Sequence, residues 1–312
     1  VAPLTVMMPA RNAESTVATA IRSITRALPR DGRVLVLDDA SEDSTAAVVR
    51  DLARRDRRVG LLESLSTRVG VVAAATALLD AADTPLVARM DADDISLPWR
   101  FRTQLALLRR HDLDLAFSPL VFMGPGRFAV EPQPLLSAGP ESVGLELVLN
   151  CAVAHPTMTG RRAAILDAGG YRSAPSEDWD LWMRLSLNGA RLGRTSCPGL
   201  AYRRHSGQTS AQPAWKAALA SDTTSAGVHR DLCRAVLGRG YDPGPSAYAA
   251  LAGPGARPEQ VAAAERLIDD VAAQASRFPL AQRLSLAVTA HGVRLLLRKN
   301  YPYAASGAHE PG

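Results

Sequence analysis

Apolar residues in the first third of the chain recur in short uninterrupted runs, and stretches with helical spacing separate the runs. Leu4-Thr5-Val6-Met7-Met8 predicts a buried strand ended by Pro9. Val17, Ile21, Ile24 and Leu28 fall on one face of a helix beginning near Asn12. Val34 to Leu37 predicts a second strand, stopped by Asp38-Asp39, and Ser41 and Asp43 offer caps for a helix reaching about Arg55. Val59 to Leu62 predicts a third strand. Gly70 opens a small-residue helix to about Asp80, and Leu86 to Met90 predicts a fourth strand. Strands alternating with helices predict an α/β fold, a mostly parallel sheet with helices on both faces. In open sheets of that kind, ligands bind beyond the carboxyl ends of the strands. Asn12, Asp38, Asp39, Asp91 and Asp93 all lie just past predicted strand ends.

The pattern then becomes less regular. Pro98 suits the first position of a helix carrying Phe101, Leu105 and Leu108 inward. Leu115 to Phe117 predicts a further strand. Gly124 to Pro140 is rich in Gly and Pro and predicts a long surface loop, either a lid over a ligand or a plain connector. Helices are expected over Glu141 to Leu149 and Arg162 to Ala168, the second closed by Gly169-Gly170. Ser176 is placed to cap a helix with Glu177 and Asp178 in its first turn and Leu181, Trp182 and Leu185 inward. Gly199 to Tyr202 is strand-like and runs into Arg203-Arg204-His205. After Ser210 only helical spacing remains, over Pro213 to Leu237, Pro258 to Arg277 and Leu280 to Lys299. The expected organisation is an α/β domain over 1–210, a helical region over 211–303, and a disordered tail over 304–312.

Composition narrows the classes of function. A chain of 312 residues is one large domain or two moderate ones. It has no apolar run of membrane-spanning length, and a signal peptide is not expected. Cys151, Cys197 and Cys233 are scattered and form neither a CxxC pair nor a disulfide framework, which fits a reducing cytoplasm. The net charge is +5, carried almost wholly by arginines that are spread along the chain without interleaved aromatics. A nucleic-acid partner is therefore not expected. The last helix is apolar with Arg283, Arg294, Arg298 and Lys299 among its polar positions. It can pack on its own domain, which is the expectation, or touch the cytoplasmic face of a membrane.

The chemistry concentrates in Arg89-Met90-Asp91-Ala92-Asp93-Asp94, directly after the apolar Leu86-Val87-Ala88. Carboxylates packed this closely repel one another, and a divalent cation removes that penalty. Mg²⁺ takes oxygen ligands, often one or two carboxylates together with substrate phosphates. The other reading is an acidic turn capping the helix after Pro98. For Glu177 and Asp178 the other reading is likewise simple capping.

In order and spacing the chain resembles the family 2 glycosyltransferases with the GT-A fold, in particular bacterial inverting members. The resemblance covers roughly residues 3 to 210. It rests on Pro9-Ala10-Arg11-Asn12, Asp38-Asp39-Ala40-Ser41 with Asp43, Gly70 and its Ala-rich helix, and Ala88-Arg89-Met90-Asp91-Ala92-Asp93-Asp94-Ile95. It continues through His155-Pro156-Thr157, Gly169-Gly170-Tyr171, Glu177-Asp178-Trp179-Asp180-Leu181-Trp182 and Tyr202-Arg203-Arg204-His205. The chain departs from the family at Thr76, where asparagine is usual, and at Ala40, where glycine is frequent.

The resemblance implies a nucleotide-sugar donor of UDP or dTDP type. It also implies an acceptor in a surface glycan, a lipid-linked sugar or a natural product. Pro9, Ala10, Arg11 and Asn12 would line the nucleotide, and Asp39 with Asp38 would contact its base. Asp91 would hold the ribose or assist the metal. Asp93 would ligate Mg²⁺ or Mn²⁺, His205 would complete that site, and Arg203 would lie near the pyrophosphate. Asp178 would be the catalytic base and Glu177 an acceptor contact. Two rivals are a sugar-phosphate nucleotidyltransferase and a non-catalytic nucleotide-sugar-binding protein. The first needs a Gly-rich signature that Pro9-Ala10-Arg11-Asn12 is not, and intact Asp93 and Asp178 argue against the second.

Overall fold

The computed structural model describes residues 2–124, 127–129, 135–205, 208, 212–243, 247–253 and 255–301. They fall into two compact units, neither of them continuous in sequence. The first comprises Val1–Leu135, Val153–Arg172 and Ala190–His205; the second comprises Leu136–Ala152, Ser173–Gly189 and Ser206–Gly312.

The first unit opens with β1 (Leu4–Ala10), α1 (Val17–Ala27), β2 (Gly32–Asp38), α2 (Thr45–Arg55), β3 (Val59–Ser64), α3 (Gly70–Ala81) and β4 (Leu86–Arg89). These are the elements that the alternating runs predict. Leu4, Val6, Met8 and Ala10 point to one face of β1 and share a core with Ile21 and Ile24 of α1, Val49 of α2 and Phe101. Thr5 and Met7 point to the other face. On α3, Ala74, Ala75, Leu78 and Leu79 are buried outside that core. Pro9 does not end β1. It sits in register with Leu37, and the strand runs on to Ala10. A proline removes one donor, and at the penultimate position the ladder is ending in any case.

Next come β5 (Ile95–Ser96), α4 (Arg100–His111), β6 (Leu115–Phe117), β7 (Leu120–Gly124) and β8 (Arg127–Ala129). α4 starts at Arg100, not Pro98, because the Arg100 N–H closes a turn onto the Leu97 carbonyl at 3.0 Å. The stretch expected to be a loop from Gly124 to Pro140 contains β8, paired antiparallel with β7. Residues 125–126 and 130–134 of it lie outside the described residues. α5 (Pro140–Leu147) belongs to the second unit.

Back in the first unit are β9 (Thr159–Arg161) and α6 (Arg162–Asp167). α7 (Glu177–Leu187) belongs to the second unit, and β10 (Leu192–Arg194) and β11 (Leu200–Arg203) to the first. The main sheet has the order β10-β6-β9-β4-β1-β2-β3, and a smaller one has β5-β11-β7-β8. β9 runs antiparallel to both its neighbours, β4 and β6; the other pairs of the main sheet are parallel.

The second unit is helical, with α5 and α7 joined by α8 (Pro213–Ala220), α9 (Thr223–Leu237), α10 (Ala247–Ala252), α11 (Pro258–Ala273) and α12 (Leu280–Asn300). The single helix expected over Pro213 to Leu237 is two. Asp222 breaks it by capping α9, its carboxylate accepting from the N–H groups of Thr224 and Ser225 at 3.0 and 3.1 Å. α11 ends at Ala273 and a 3₁₀ turn, Gln274–Arg277, follows. α12 buries Leu286, Ala290, Val293 and Leu297 and contacts α5 and α11. The tail from residue 304 lies outside the described residues. No helix of the described residues is long and apolar enough to cross a membrane.

Candidate active site

The loops that follow β1 and β2 are tied to each other. Asn12 takes a left-handed φ of 49°, which asparagine tolerates. Its N–H then reaches Ser41 Oγ at 2.9 Å, and its Oδ1 accepts from the Glu42 N–H at 2.9 Å. The Ala13 N–H donates to Thr45 Oγ1 at 2.7 Å and the Glu14 N–H to Asp43 Oδ2 at 3.0 Å. Arg11 makes an open ion pair with Glu42 at 3.4 Å. Pro9 and Ala10 close β1, and the Ala10 carbonyl accepts from the Asp39 N–H at 2.8 Å.

Asp38 and Asp39 are both buried at the end of β2. Asp38 accepts from the Ser41 hydroxyl. Asp39 does something the sequence reading missed. Its two oxygens accept from the N–H groups of Val69 and Gly70, at 2.7 and 3.0 Å, so it caps the start of α3. A carboxylate has about four acceptor sites, so these two bonds leave it able to take a further donor. Thr76, on α3, spends its hydroxyl on the Val72 carbonyl one turn back.

The acidic loop after β4 is the most charged part of the site. Asp91, Asp93 and Asp94 bring carboxylate oxygens within 4.8 Å of one another. Buried Arg89 pairs with Asp91. Asp94 is 1% exposed; its Oδ1 accepts from the Arg203 N–H at 2.9 Å, while Oδ2 is buried without a hydrogen-bond partner among the described residues. Burial, with Asp91 and Asp93 beside it, pushes the Asp94 carboxyl up to about 9. Burial and the same three carboxylates push the Tyr202 phenol up as well.

The smaller sheet delivers the late residues to this loop. β5 follows the loop directly, and β11 pairs antiparallel with it through Ala201 and Ile95. The end of β11 therefore runs past Asp93. Arg203 Nε donates to the Asp93 carbonyl at 3.0 Å, and His205 Nε2 lies 2.8 Å from Asp93 Oδ2. Of the residues expected together from sequence, Asp91 and Asp93 cluster, and His205 meets Asp93. Asp94 joins them, and it went without a role in the sequence reading although it stands in the same acidic run.

A cation fits this donor set. Clustered carboxylate oxygens with one imidazole suit Mg²⁺ or Mn²⁺, and the unpartnered Asp94 oxygen is the kind of buried group such an ion satisfies. Arg100, also missed, fixes the strand end from which the loop departs. Fully buried, it donates to the Arg89 carbonyl at 2.8 Å and to Gln104 Oε1 at 3.2 Å.

His155 and Tyr171, from two of the matched motifs, meet in the first unit, with Nε2 and the phenol oxygen 2.9 Å apart. In the second unit, α7 begins with Glu177 and Asp178, both half-buried. Ser176 does not cap α7 with its side chain. Its hydroxyl turns to Asp178 Oδ1 at 2.9 Å, where the Trp179 N–H also donates at 2.8 Å. The Cys151 thiol donates to Asp178 Oδ2 at 3.5 Å. Cys151 is separated from Asp178 in sequence, and nothing in the spacing signals the contact.

A cavity of about 860 Å³ in the first unit is lined by Leu86, Leu105, Leu108, Arg109, Arg161 and Leu166, among others. Leu86 is the first residue of β4, so the cavity lies at the opposite end of that strand from the acidic loop.

The chain also matches known proteins. The family model described as Glycosyl transferase family 2 matches residues 5–170. The putative glycosyltransferase EpsE of Bacillus subtilis is 31% identical over 195 residues, 60% of this chain and 68% of EpsE. The UDP-Glc:alpha-D-GlcNAc-diphosphoundecaprenol beta-1,3-glucosyltransferase WfgD of Escherichia coli is 24% identical over 186 residues, 58% of this chain and 69% of WfgD. Among solved structures, S. aureus TarS 1–349 in complex with UDP-GlcNAc superposes with a TM-score of 0.61 at 17% identity, over 99% of this chain and 93% of that one. That likeness speaks to the fold, which is the GT-A arrangement expected from the sequence.

Proposed function

The chain belongs to glycosyl transferase family 2, and from that premise we propose that it transfers a sugar, with inversion and with a divalent cation, from a UDP- or dTDP-type donor to a glycan, lipid-linked or natural-product acceptor. The observation that carries this reading is the acidic loop of Asp91, Asp93 and Asp94, met by Arg203 at the end of β11 and by His205 just past it. Asp91, Asp93 and His205 would hold Mg²⁺ or Mn²⁺. When bound, the ion supplies positive charge to the leaving diphosphate. Arg203 adds a fixed cation beside the same loop. Asp38 and Asp39 stand at the end of β2 to accept from a base N–H, and Pro9 to Asn12 run alongside. TarS, solved with UDP-GlcNAc, and WfgD, named for a UDP-glucose donor, support the UDP type. WfgD is also named for a diphosphoundecaprenol-linked acceptor, which supports the lipid-linked class. Asp178 accepts the acceptor proton as that group attacks the anomeric carbon, and Glu177 contacts the acceptor.

Calorimetry with UDP, dTDP, GDP and ADP, each with and without Mn²⁺, tests the donor site. Tighter binding of UDP or dTDP, dependent on Mn²⁺, is expected. Asp93→Ala should weaken it by roughly tenfold or more while the protein stays folded, as loss of a ligand to a hard cation requires. Equal or tighter binding of GDP would remove Asp38 and Asp39 from base selection. Metal-dependent affinity that survives in Asp93→Ala would remove that residue from the ion site. The anomeric configuration of the product, read by NMR, decides between inversion and retention.

A further inference from the structure

α12 is apolar on two opposite sides. Leu286, Ala290, Val293 and Leu297 are buried within the helical unit. At about 100° per residue, Leu280, Leu284, Val288 and Leu295 line up along the far side. They are 69%, 46%, 44% and 52% exposed, and Leu296, about 100° round the helix from Leu295, is 57% exposed. A helix that only packs on its own unit carries polar residues on that side. Here exposed apolar side chains recur along that side of a helix of 21 residues, interrupted by His291.

The charges of α12 have one sign. It contains Arg283, Arg294, Arg298 and Lys299 and neither Asp nor Glu. Arg294 is committed to Asp269. Arg283, Arg298 and Lys299 are exposed, and His291 is exposed within the stripe. Leucines along one line, bordered by cations and with no carboxylate on the helix itself, suit a helix lying in the plane of an anionic bilayer surface. The leucines enter the acyl boundary, and the long basic side chains reach back to the headgroup phosphates.

We propose that α12 docks the protein on an anionic lipid surface through Leu280, Leu284, Val288 and Leu295, with Arg283, Arg298 and Lys299 at its edges. A second copy of the chain fits the stripe less well. A two-fold contact across it would set cations against cations, with no carboxylate on the helix to meet them. The proposal goes beyond the donor reading and does not depend on it, because no residue of α12 belongs to the acidic loop or to the Asp178 group.

Cosedimentation of the full chain with vesicles tests it. Vesicles of phosphatidylcholine with phosphatidylglycerol, roughly 7:3, should bind the protein at least about tenfold more tightly than phosphatidylcholine alone, and added salt should weaken the binding. The double variant Leu284→Glu, Leu295→Glu should lose roughly tenfold or more of that binding. Both side chains are exposed, so circular dichroism and UDP affinity should match the wild type. Arg298→Glu with Lys299→Glu should abolish the preference for anionic vesicles. No binding to anionic vesicles, or equal binding by the Leu→Glu variant, would overturn the proposal. So would a concentration-dependent dimer that Leu295→Glu dissolves, since the stripe would then belong to a second copy.

Discussion

Ala40 holds a φ of 54°, a backbone conformation in which its Cβ crowds the neighbouring carbonyl. Glycine adopts it freely, so Ala40→Gly should raise stability by up to about 1 kcal/mol, measured by urea unfolding. The turn is needed because the residues around it bind the β1 loop: Ser41 takes the Asn12 N–H and Glu42 gives its own to Asn12 Oδ1. Asp178 supports a sharper test. Ser176 and the Trp179 N–H hold its Oδ1, and Oδ2 faces the Cys151 thiol. Asparagine can keep the Oδ1 bonds while losing the ability to accept a proton. Asp178→Asn should leave donor affinity near wild type and lower kcat by roughly 10²–10⁴-fold. Glu177→Gln should cost less in kcat and more in acceptor KM, and an inactive Glu177→Gln beside an active Asp178→Asn would exchange the two roles. The acidic residues were legible one by one, because carboxylates after an apolar run are conspicuous. Their partners were not. Arg89 on Asp91, Arg203 on Asp94 and Cys151 on Asp178 are matters of geometry that spacing does not encode.

Elements were legible where apolar residues mark them. β1 to β4 each show as an apolar run, α1, α2 and α4 carry a helical stripe, and α3 shows as a small-residue run after Gly70. β6 has only three residues, yet all are apolar and it shows; β9 and β10 are as short and carry one apolar residue between them. β9 is also Thr-Gly-Arg, with no apolar residue to mark it, yet it joins β4 to β6. Its glycine is required by close approach. A Cβ at Gly160 would meet the Asp114 carbonyl oxygen and lie 2.9 Å from Leu115 Cα. Backbone atoms on a central strand cannot step aside, so Gly160→Ala should destabilise the protein by about 2–3 kcal/mol in urea unfolding. The break between α8 and α9 was legible and went unread, since Ser221-Asp222-Thr223 is a run of capping types. Asp222→Ala should cost about 1 kcal/mol by the same measurement.

At the scale of the molecule, the helical unit carries its own pH dependence. His229 is buried, 2.8 Å from the Val148 carbonyl, which its neutral ring meets as a donor. Burial pulls its pKa down to about 4, against about 6.5 in an unfolded chain. Cys233, 3.9 Å away, is pushed up to about 12 by burial and stays neutral throughout this range. Between these two histidine values the unfolded chain binds a proton that the folded one refuses, so stability falls as pH drops from about 6.5 to 4. The loss is at most about 3 kcal/mol. Urea unfolding followed by tryptophan fluorescence should show this slope, and His229→Gln should flatten it. The domain division was harder to read than the elements, because the chain passes between the units after 135, 152, 172, 189 and 205, whereas periodicity reports only local order. The antiparallel place of β9 also sets a timetable. As the chain leaves a ribosome, β1 to β4 can pair in the order they are made. β6 must wait, because its neighbours in the sheet are β9 and β10, both made later. Until residue 161 is available, β4 presents an open edge and β6 has no partner in the sheet. Unpaired edges of this kind recruit other strands, and pairings across so much chain form slowly. The nascent protein is therefore most exposed to aggregation between the synthesis of β4 and that of β9.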